Sequence, residues 1–236
     1  MYSFESRIRY SQTDLEGKIT PEAILDYFQD SSIFHSEDLG VGVEYLKKEG
    51  LVWVLSAWQI DIVRYPKMGE RVLVKTAPYD FKGFLGFRNF VMESLEGECL
   101  ACANSVWTLM DTVNKRPTKP NELMLELYKL EEKYPMEYTE RKIKIPTDMV
   151  SVNKEPIAVR PHHLDTNLHV NNGQYVRMAM DALDAKREIK RIRTEYKVSA
   201  VLDDVIVPQV IEKEECACIL LNDVNNNPYA IVELTW

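Results

Sequence analysis

Asp165-Thr-Asn167-Leu-His169-Val-Asn-Asn172 stands on a frame that the chain has already used at Asp14-Leu-Glu16-Gly-Lys18-Ile-Thr-Pro21. The offset, from Asp14 to Asp165, is 151 residues, and it sets Glu16 against Asn167, Lys18 against His169 and Ile19 against Val170. The match runs on without a gap, with Ala23-Ile-Leu-Asp-Tyr-Phe-Gln-Asp30 beside Gln174-Tyr-Val-Arg-Met-Ala-Met-Asp181. Further on, Tyr65-Pro-Lys-Met-Gly69-Glu70-Arg-Val and the run from Ser199 through Asp203-Asp204-Val-Ile share a cadence of strand, acid-bearing turn and strand. Here the offset, from Gly69 to Asp203, is 134, so the first copy holds 17 extra residues, placed between Ser36 and Leu51 where Gly40, Gly42 and Gly50 punctuate the chain. One copy carries a polar, His-bearing motif and the other an altered one, which suggests two related folds serving one active site.

Each half reads as strand, turn, one long helix and several strands. The helices are expected at about Pro21 to Leu39 and Gly173 to Ile189, with Thr20 and one of Asn171 or Asn172 as caps and Pro21 at the first helical position. Ala23, Ile24, Leu25, Tyr27 and Phe28 in one helix, and Tyr175, Val176, Met178, Ala179, Met180, Ala182 and Leu183 in the other, form apolar faces broad enough to require burial. Strands are expected at Val52–Tyr65, Arg71–Phe81, Phe84–Leu95 and Cys99–Asp111, then at Lys190–Val198, Val205–Lys213, Glu215–Asp223 and Tyr229–Trp236. Asn121 to Lys133 reads as an amphipathic linker helix and Tyr134 to Pro146 as a linker, with a boundary near residue 140 (domains 1–140 and 141–236). The fold class is α+β: two buried helices, each wrapped by a curved antiparallel sheet.

With 236 residues and 45% hydrophobic content the chain can bury a sizeable core. No apolar run reaches the roughly 18 residues of a membrane span. The start, Met1-Tyr-Ser-Phe-Glu-Ser-Arg7, shows no basic segment followed by an apolar one, so a cytoplasmic, bacterial protein is expected. A net charge of −8 argues against nucleic-acid binding by global attraction. Local basic clusters remain at Lys115, Arg116 and Lys119, and at Lys186, Arg187, Lys190, Arg191, Arg193 and Lys197. Solvated turns and helix ends account for either; an acidic protein partner is the functional alternative. Cys99 and Cys102, three apart in a strand, point to opposite faces and cannot readily share a metal, and Cys216 and Cys218 lack a second ligand pair, so four reduced thiols are expected.

Asp165, Asn167 and His169 alternate, so in extended backbone they share a direction. They precede a helix start whose first amides, near Asn172 and Gly173, can hold a developing oxyanion. A plain structural account makes Asp165 and the asparagines a turn and cap. The first copy builds that turn with Glu16 and Lys18, so the turn does not itself require Asn167 and His169. A two-histidine, one-carboxylate metal set (His163, Asp165, His169, with His162 nearby) is the weaker alternative, since the first copy has no such cluster. No cofactor or metal is expected. His35, on the first helix without an acid or thiol at useful spacing, is assigned no role, and Trp53, Trp58 and Trp107 are expected in the core.

Asp-x-Asn-x-His-Val-Asn-Asn, the Tyr-bearing helix and the Glu195-Tyr196 strand resemble the acyl-ACP thioesterases of plants and bacteria. Phe81-Lys-Gly-Phe-Leu-Gly-Phe-Arg-Asn-Phe90 and Trp107 to Thr112, through Arg116-Pro117, are similar to the bacterial branch. The resemblance spans nearly the whole chain and implies a tandem hotdog fold that releases fatty acids from acyl carrier protein bearing a phosphopantetheine-linked acyl chain, acting as a monomer or homodimer. It implies catalytic work for Asp165, Asn167 and His169, an acyl pocket in the first hotdog, and a further Glu, often followed by Cys, where this chain has Ser199-Ala200. Ser199 is then the candidate to hold a water in the acid's place, and the Lys186–Lys197 cluster the candidate to meet the acidic carrier. Acyl-CoA hydrolysis, a non-catalytic acyl-binding protein and a dehydratase are the rivals.

Overall fold

The computed structural model describes residues 1–236, which divide into two compact units: Met1–Ser56 with Ile62–Tyr138, and Ala57–Asp61 with Thr139–Trp236. In the first, the Thr20 hydroxyl accepts the Ala23 amide at 3.4 Å and Pro21 opens the helix, where its missing N–H costs nothing. The elements in order are β1 (Tyr2–Arg7), α1 (Pro21–Asp38), α2 (Val43–Lys48), residues 51–56 of β2 (Leu51–Ile62), β3 (Arg71–Lys82), β4 (Leu85–Ser94), β5 (Cys99–Asp111), β6 (Arg116–Pro117) and α3 (Glu122–Leu127). The strands pair antiparallel in the order β1-β3-β4-β5-β2. α1 lies across β3 and β1, burying Ile24, Leu25 and Phe28 completely, with the Phe28 ring centroid 5.5 Å from that of Phe90. Each such side chain contributes roughly 1.5–3 kcal/mol by leaving water.

α3 is shorter than its sequence pattern. Asn121 caps it through the Met124 amide (2.9 Å), and Met124 and Tyr128 are buried with Val41 and Leu109. Beyond Tyr128 the run Lys129-Leu-Glu-Glu-Lys133 has nothing left to bury, since Leu130 is exposed, and the helix stops. The cysteine geometry also departs from strict alternation. Glu93 faces Cys99 while Met92 faces Ala101, so Leu100 is an extra residue on β5. This bulge brings Cys99 and Cys102 to one face. Their thiols hydrogen-bond, which with the Tyr134 hydroxyl draws the Cys99 pKa down to about 6 against the opposing effect of burial. His35 is not idle: it accepts a hydrogen bond from the buried Arg88 guanidinium (3.0 Å) and stacks on Tyr2, and burial together with Arg88 lowers its pKa to about 4.

The second unit holds residues 57–61 of β2, then β7 (Val152–Asn153), β8 (Ile157–Ala158), α4 (Asn172–Asp181), β9 (Arg191–Tyr196), β10 (Val205–Glu212), β11 (Cys216–Asn222) and β12 (Pro228–Thr235). Its sheet runs from the β2 segment through β9, β12, β11 and β10 to β7, with β8 also on β10, all antiparallel. α4 packs on β11 and β12, and Ile143, Ile211, Cys218, Leu220 and Ile231 form a core cluster. α4 ends at Asp181, well short of the expected Ile189. Its apolar stripe is spent by Leu183, and Asp184 to Glu188 are exposed. β9 ends at Tyr196, two residues short of the expected Val198. The four cysteines form no disulfide.

Candidate active site

The repeat is reproduced hydrogen bond by hydrogen bond inside each unit. In the first, a 3-10 turn (Tyr10–Gln12) leads to Asp14, whose Oδ1 accepts the amides of Glu16 (2.9 Å) and Lys18 (3.1 Å), while the Asp14 amide reaches the Lys18 carbonyl (2.8 Å). In the second, a 3-10 turn (Pro161–His163) leads to Asp165, whose Oδ1 accepts the amides of Asn167 (2.8 Å) and His169 (3.2 Å), while its own amide reaches the His169 carbonyl (2.8 Å). Gly17 and Leu168 both sit in the left-handed region, at φ 71° and 61°. The following strands match as well: Ile19 donates to the Pro66 carbonyl and Val170 to that of Ala200, each at 2.9 Å. At the next turn, Glu70 Oε2 accepts the Lys67 amide and Asp204 Oδ2 the Val201 amide, with Gly69 and Asp203 left-handed.

This construction changes the expected geometry of the motif. Residues 165–169 are a tight turn rather than extended chain, because the Asp165 carboxylate gathers two downstream amides. One oxygen of Asp165 is therefore committed to holding the loop, as Asp14 is in the other copy. Asn167 and His169 enter the turn through their backbones alone, and both side chains are exposed. Glu16 and Lys18 do the same backbone work in the first copy, so an amide and an imidazole are surplus to the fold at these two places. Leu168, Val198, Val201 and Leu202 are exposed apolar residues on the same short segments.

Ser199 is exposed and precedes Ala200, whose carbonyl holds Val170, while Val201 is bridged to His169. The 199–201 segment thus runs beside the 169–170 strand. Glu195 belongs elsewhere: it is buried, accepts the Ile143 amide (3.2 Å) and pairs with Lys197. Two tyrosines, read from the sequence only as an apolar helix residue and part of a strand motif, set this arrangement through their hydroxyls. The Tyr175 hydroxyl accepts the Ala200 amide at 2.8 Å, and the Tyr196 hydroxyl donates to the Asn172 carbonyl at 3.0 Å. At the matching positions the first copy has Ile24 and Ile62. A buried tyrosine in one copy where the other has isoleucine was the available signal.

Two expectations need correction. The Gly173 amide is not open to an oxyanion, because Asn171 Oδ1 caps it at 3.0 Å; the next amide, of Gln174, goes to the Asn171 carbonyl. The cap that starts α4 consumes the Gly173 amide that the sequence offered. The basic cluster is also largely neutralised. Arg191 pairs with Asp61, Arg193 with Glu233 (2.6 Å), Lys197 with Glu195 and Arg187 with Glu212 (3.2 Å); Lys190 keeps an exposed side chain. Opposite charges from neighbouring strands, invisible in a linear reading, face these cations. His163 Nδ1 and Asp165 Oδ1, two donors of the alternative metal set, already accept backbone amides.

A family model described as the acyl-ACP thioesterase N-terminal domain matches residues 1–128, and one described as the C-terminal domain matches residues 147–236. A chloroplastic palmitoyl-acyl carrier protein thioesterase of Arabidopsis thaliana is 25% identical over 215 residues, covering 84% of this chain and 52% of the relative. The chain spans about half the length of the curated relatives it matches. An acyl-ACP thioesterase structure from Bacteroides thetaiotaomicron superposes with a TM-score of 0.87 at 19% identity, covering 99% of this chain and 96% of the other. The 12:0-ACP thioesterase of Umbellularia californica gives 0.84 at 19% identity, covering 100% and 96%. Both likenesses identify the fold of the units as hotdog. No helix is long and apolar enough to cross a membrane.

Proposed function

Because the chain belongs to the acyl-ACP thioesterase family, we propose that it hydrolyses the thioester between a fatty acyl chain and acyl carrier protein, in the cytoplasm of a bacterium. Water adds to the thioester carbonyl, the C–S bond breaks, and a free fatty acid and the carrier's thiol leave. His169 takes the proton of the attacking water, and the Asn167 side-chain amide donates to the carbonyl oxygen as charge develops there. Asp165 acts as a positioning residue through the two amides it gathers. Ser199 orients water from the adjoining segment, in the place where the family's acid would stand. The first unit, whose turn carries Glu16 and Lys18 instead, accommodates the acyl chain.

One observation carries this assignment. Two turns with the same hydrogen bonds differ in that the second displays an exposed amide and imidazole for which the turn has no use. The test is hydrolysis of a panel of acyl-ACPs, C8 to C18, with one acyl-CoA as control, following thiol and free fatty acid release together. Stoichiometric release of both from acyl-ACP is expected. Preference for acyl-CoA would replace the carrier assignment, and acyl binding without turnover on any thioester would replace catalysis with binding.

A further inference from the structure

The two copies differ in the charge around the 3-10 turn that precedes each loop. An arginine opens both, Arg9 and Arg160. The first copy then places Ser11, Gln12 and Asp26 where the second, 151 residues on, places His162, His163 and Arg177. Asp26 keeps acidic company: burial, then Asp30 and Glu22, raise its pKa to about 6. His163 has the opposite surroundings. Partial burial, then the positive charges of His162, Arg177 and Arg160, lower its pKa. Cations thus gather beside the loop bearing Asn167 and His169, where the first copy keeps Arg9 alone and sets Asp26 in the place of Arg177.

Their geometry is fixed from the backbone. The His163 carbonyl accepts the Asn171 amide at 2.9 Å, tying the turn to the α4 cap, and its Nδ1 accepts the Arg160 amide at 3.0 Å. The neutral ring therefore carries its proton on Nε2, as a donor. The His162 ring stands edge-on to it with centroids 4.2 Å apart. Arg160 and His162 are exposed and make no ion pair, and Arg177, 60% exposed, has only Asp181 at a long 3.9 Å. Asp165, the other nearby acid, has one oxygen committed to the turn. In a chain of net charge −8, with the Lys186–Lys197 cluster largely paired, this is an unneutralised positive site on the doorstep of the loop.

We propose that Arg160, His162, His163 and Arg177 bind the phosphodiester of a 4′-phosphopantetheine arm and so deliver its thioester to Asn167 and His169. Guanidinium forks and imidazole N–H groups suit phosphate oxygens, each charge-assisted contact being strong and directional. The proposal rests on the thioester-hydrolase assignment above and names what that site recognises besides the acyl chain. The 4′-phosphate is common to the carrier's arm, where it is a phosphodiester, and to coenzyme A, where it is half of a diphosphate.

The test compares wild type with the double variant Arg160→Ala/Arg177→Ala on one acyl group carried by ACP, by coenzyme A and by N-acetylcysteamine, which lacks phosphate. Loss of two charge-assisted contacts should raise KM for both phosphate-bearing thioesters by about tenfold or more, with kcat little changed. The N-acetylcysteamine thioester should be unaffected, and the double Lys variant should recover part of the loss. An effect on ACP alone would place the cluster against the carrier's protein surface and overturn the phosphate site, as would equal loss on all three thioesters or no loss at all. Calorimetry with 4′-phosphopantetheine against pantetheine separates this proposal from the hydrolase assignment. A wild type inert on every thioester that still prefers the phosphorylated arm keeps the site and loses the hydrolase; a wild type with no such preference loses the site.

Discussion

Asp14 and Asp165 form a matched pair for separating fold from function. Each carboxylate accepts two backbone amides through one oxygen, at 2.9 and 3.1 Å in the first copy and 2.8 and 3.2 Å in the second. A hydrogen bond to a charged group contributes about 1.5–3 kcal/mol when shielded, and these half-exposed turns belong at or below the low end. Asp14→Ala and Asp165→Ala should each therefore cost about 2–3 kcal/mol. For a chain of this size that is a fall of roughly 4–12 °C in Tm. The Asn variants keep an acceptor at Oδ1 and should recover about half. Turnover on acyl-ACP should divide the pair: Asp14→Ala stays within a few-fold of wild type, whereas Asp165→Ala, which releases the Asn167–His169 loop, falls about 10²-fold. Asp165→Asn should regain activity along with stability. If Asp165→Asn were as inactive as Asp165→Ala while its Tm returned, the carboxylate itself would be the base and the positioning role would be wrong.

Lys190→Glu should leave KM for acyl-ACP within twofold, because most of its cluster is already paired; a large rise in KM would restore that cluster as the carrier's contact. Asp26→Asn tests the acidic face of α1 by thermal melts across pH. A carboxyl whose folded pKa is about 6 stabilises the fold when protonated, fully below its ordinary value of 3.8, and loses that contribution as pH rises through 6. The Asn variant should thus melt higher than wild type at pH 7.5, with the gap closing by pH 4; a gap that widens on acidification would contradict the upward shift of the Asp26 carboxyl. Leu168→Gly should gain about 0.5 kcal/mol, since relief of a left-handed non-glycine residue outweighs the entropy of glycine; denaturant midpoints read the change.

The repeat was legible because it is written in turn chemistry. Asp14 and Asp165, Glu70 and Asp204, and the caps Thr20 and Asn171 are local devices whose side chains act within four residues, so both offsets survive as matching hydrogen bonds. The strands were legible from alternation, with β5 beginning and ending where the pattern predicts. What failed was non-local. The Leu100 bulge, which turns Cys99 and Cys102 to one face, arises from β4 register. Asp61 and Glu233, which neutralise Arg191 and Arg193, come from other strands. The α4 stop reflects the end of buried surface at Leu183 rather than any breaker residue. Asn167 and His169 stand out as candidates because the first copy, with Glu16 and Lys18, supplies the comparison. The hydroxyl contacts of Tyr175 and Tyr196 went unread although the same comparison, against Ile24 and Ile62, marks the two positions.

The most direct test is single-turnover hydrolysis of acyl-ACP by wild type and His169→Ala, with Lys18→Ala as the matched change in the first copy and melting curves for all three. A folded His169→Ala protein slowed by about 10²-fold or more, beside a Lys18→Ala protein near wild type, is the predicted result. Turnover by His169→Ala within a few-fold of wild type would contradict the assignment of the second-copy loop as the hydrolytic site.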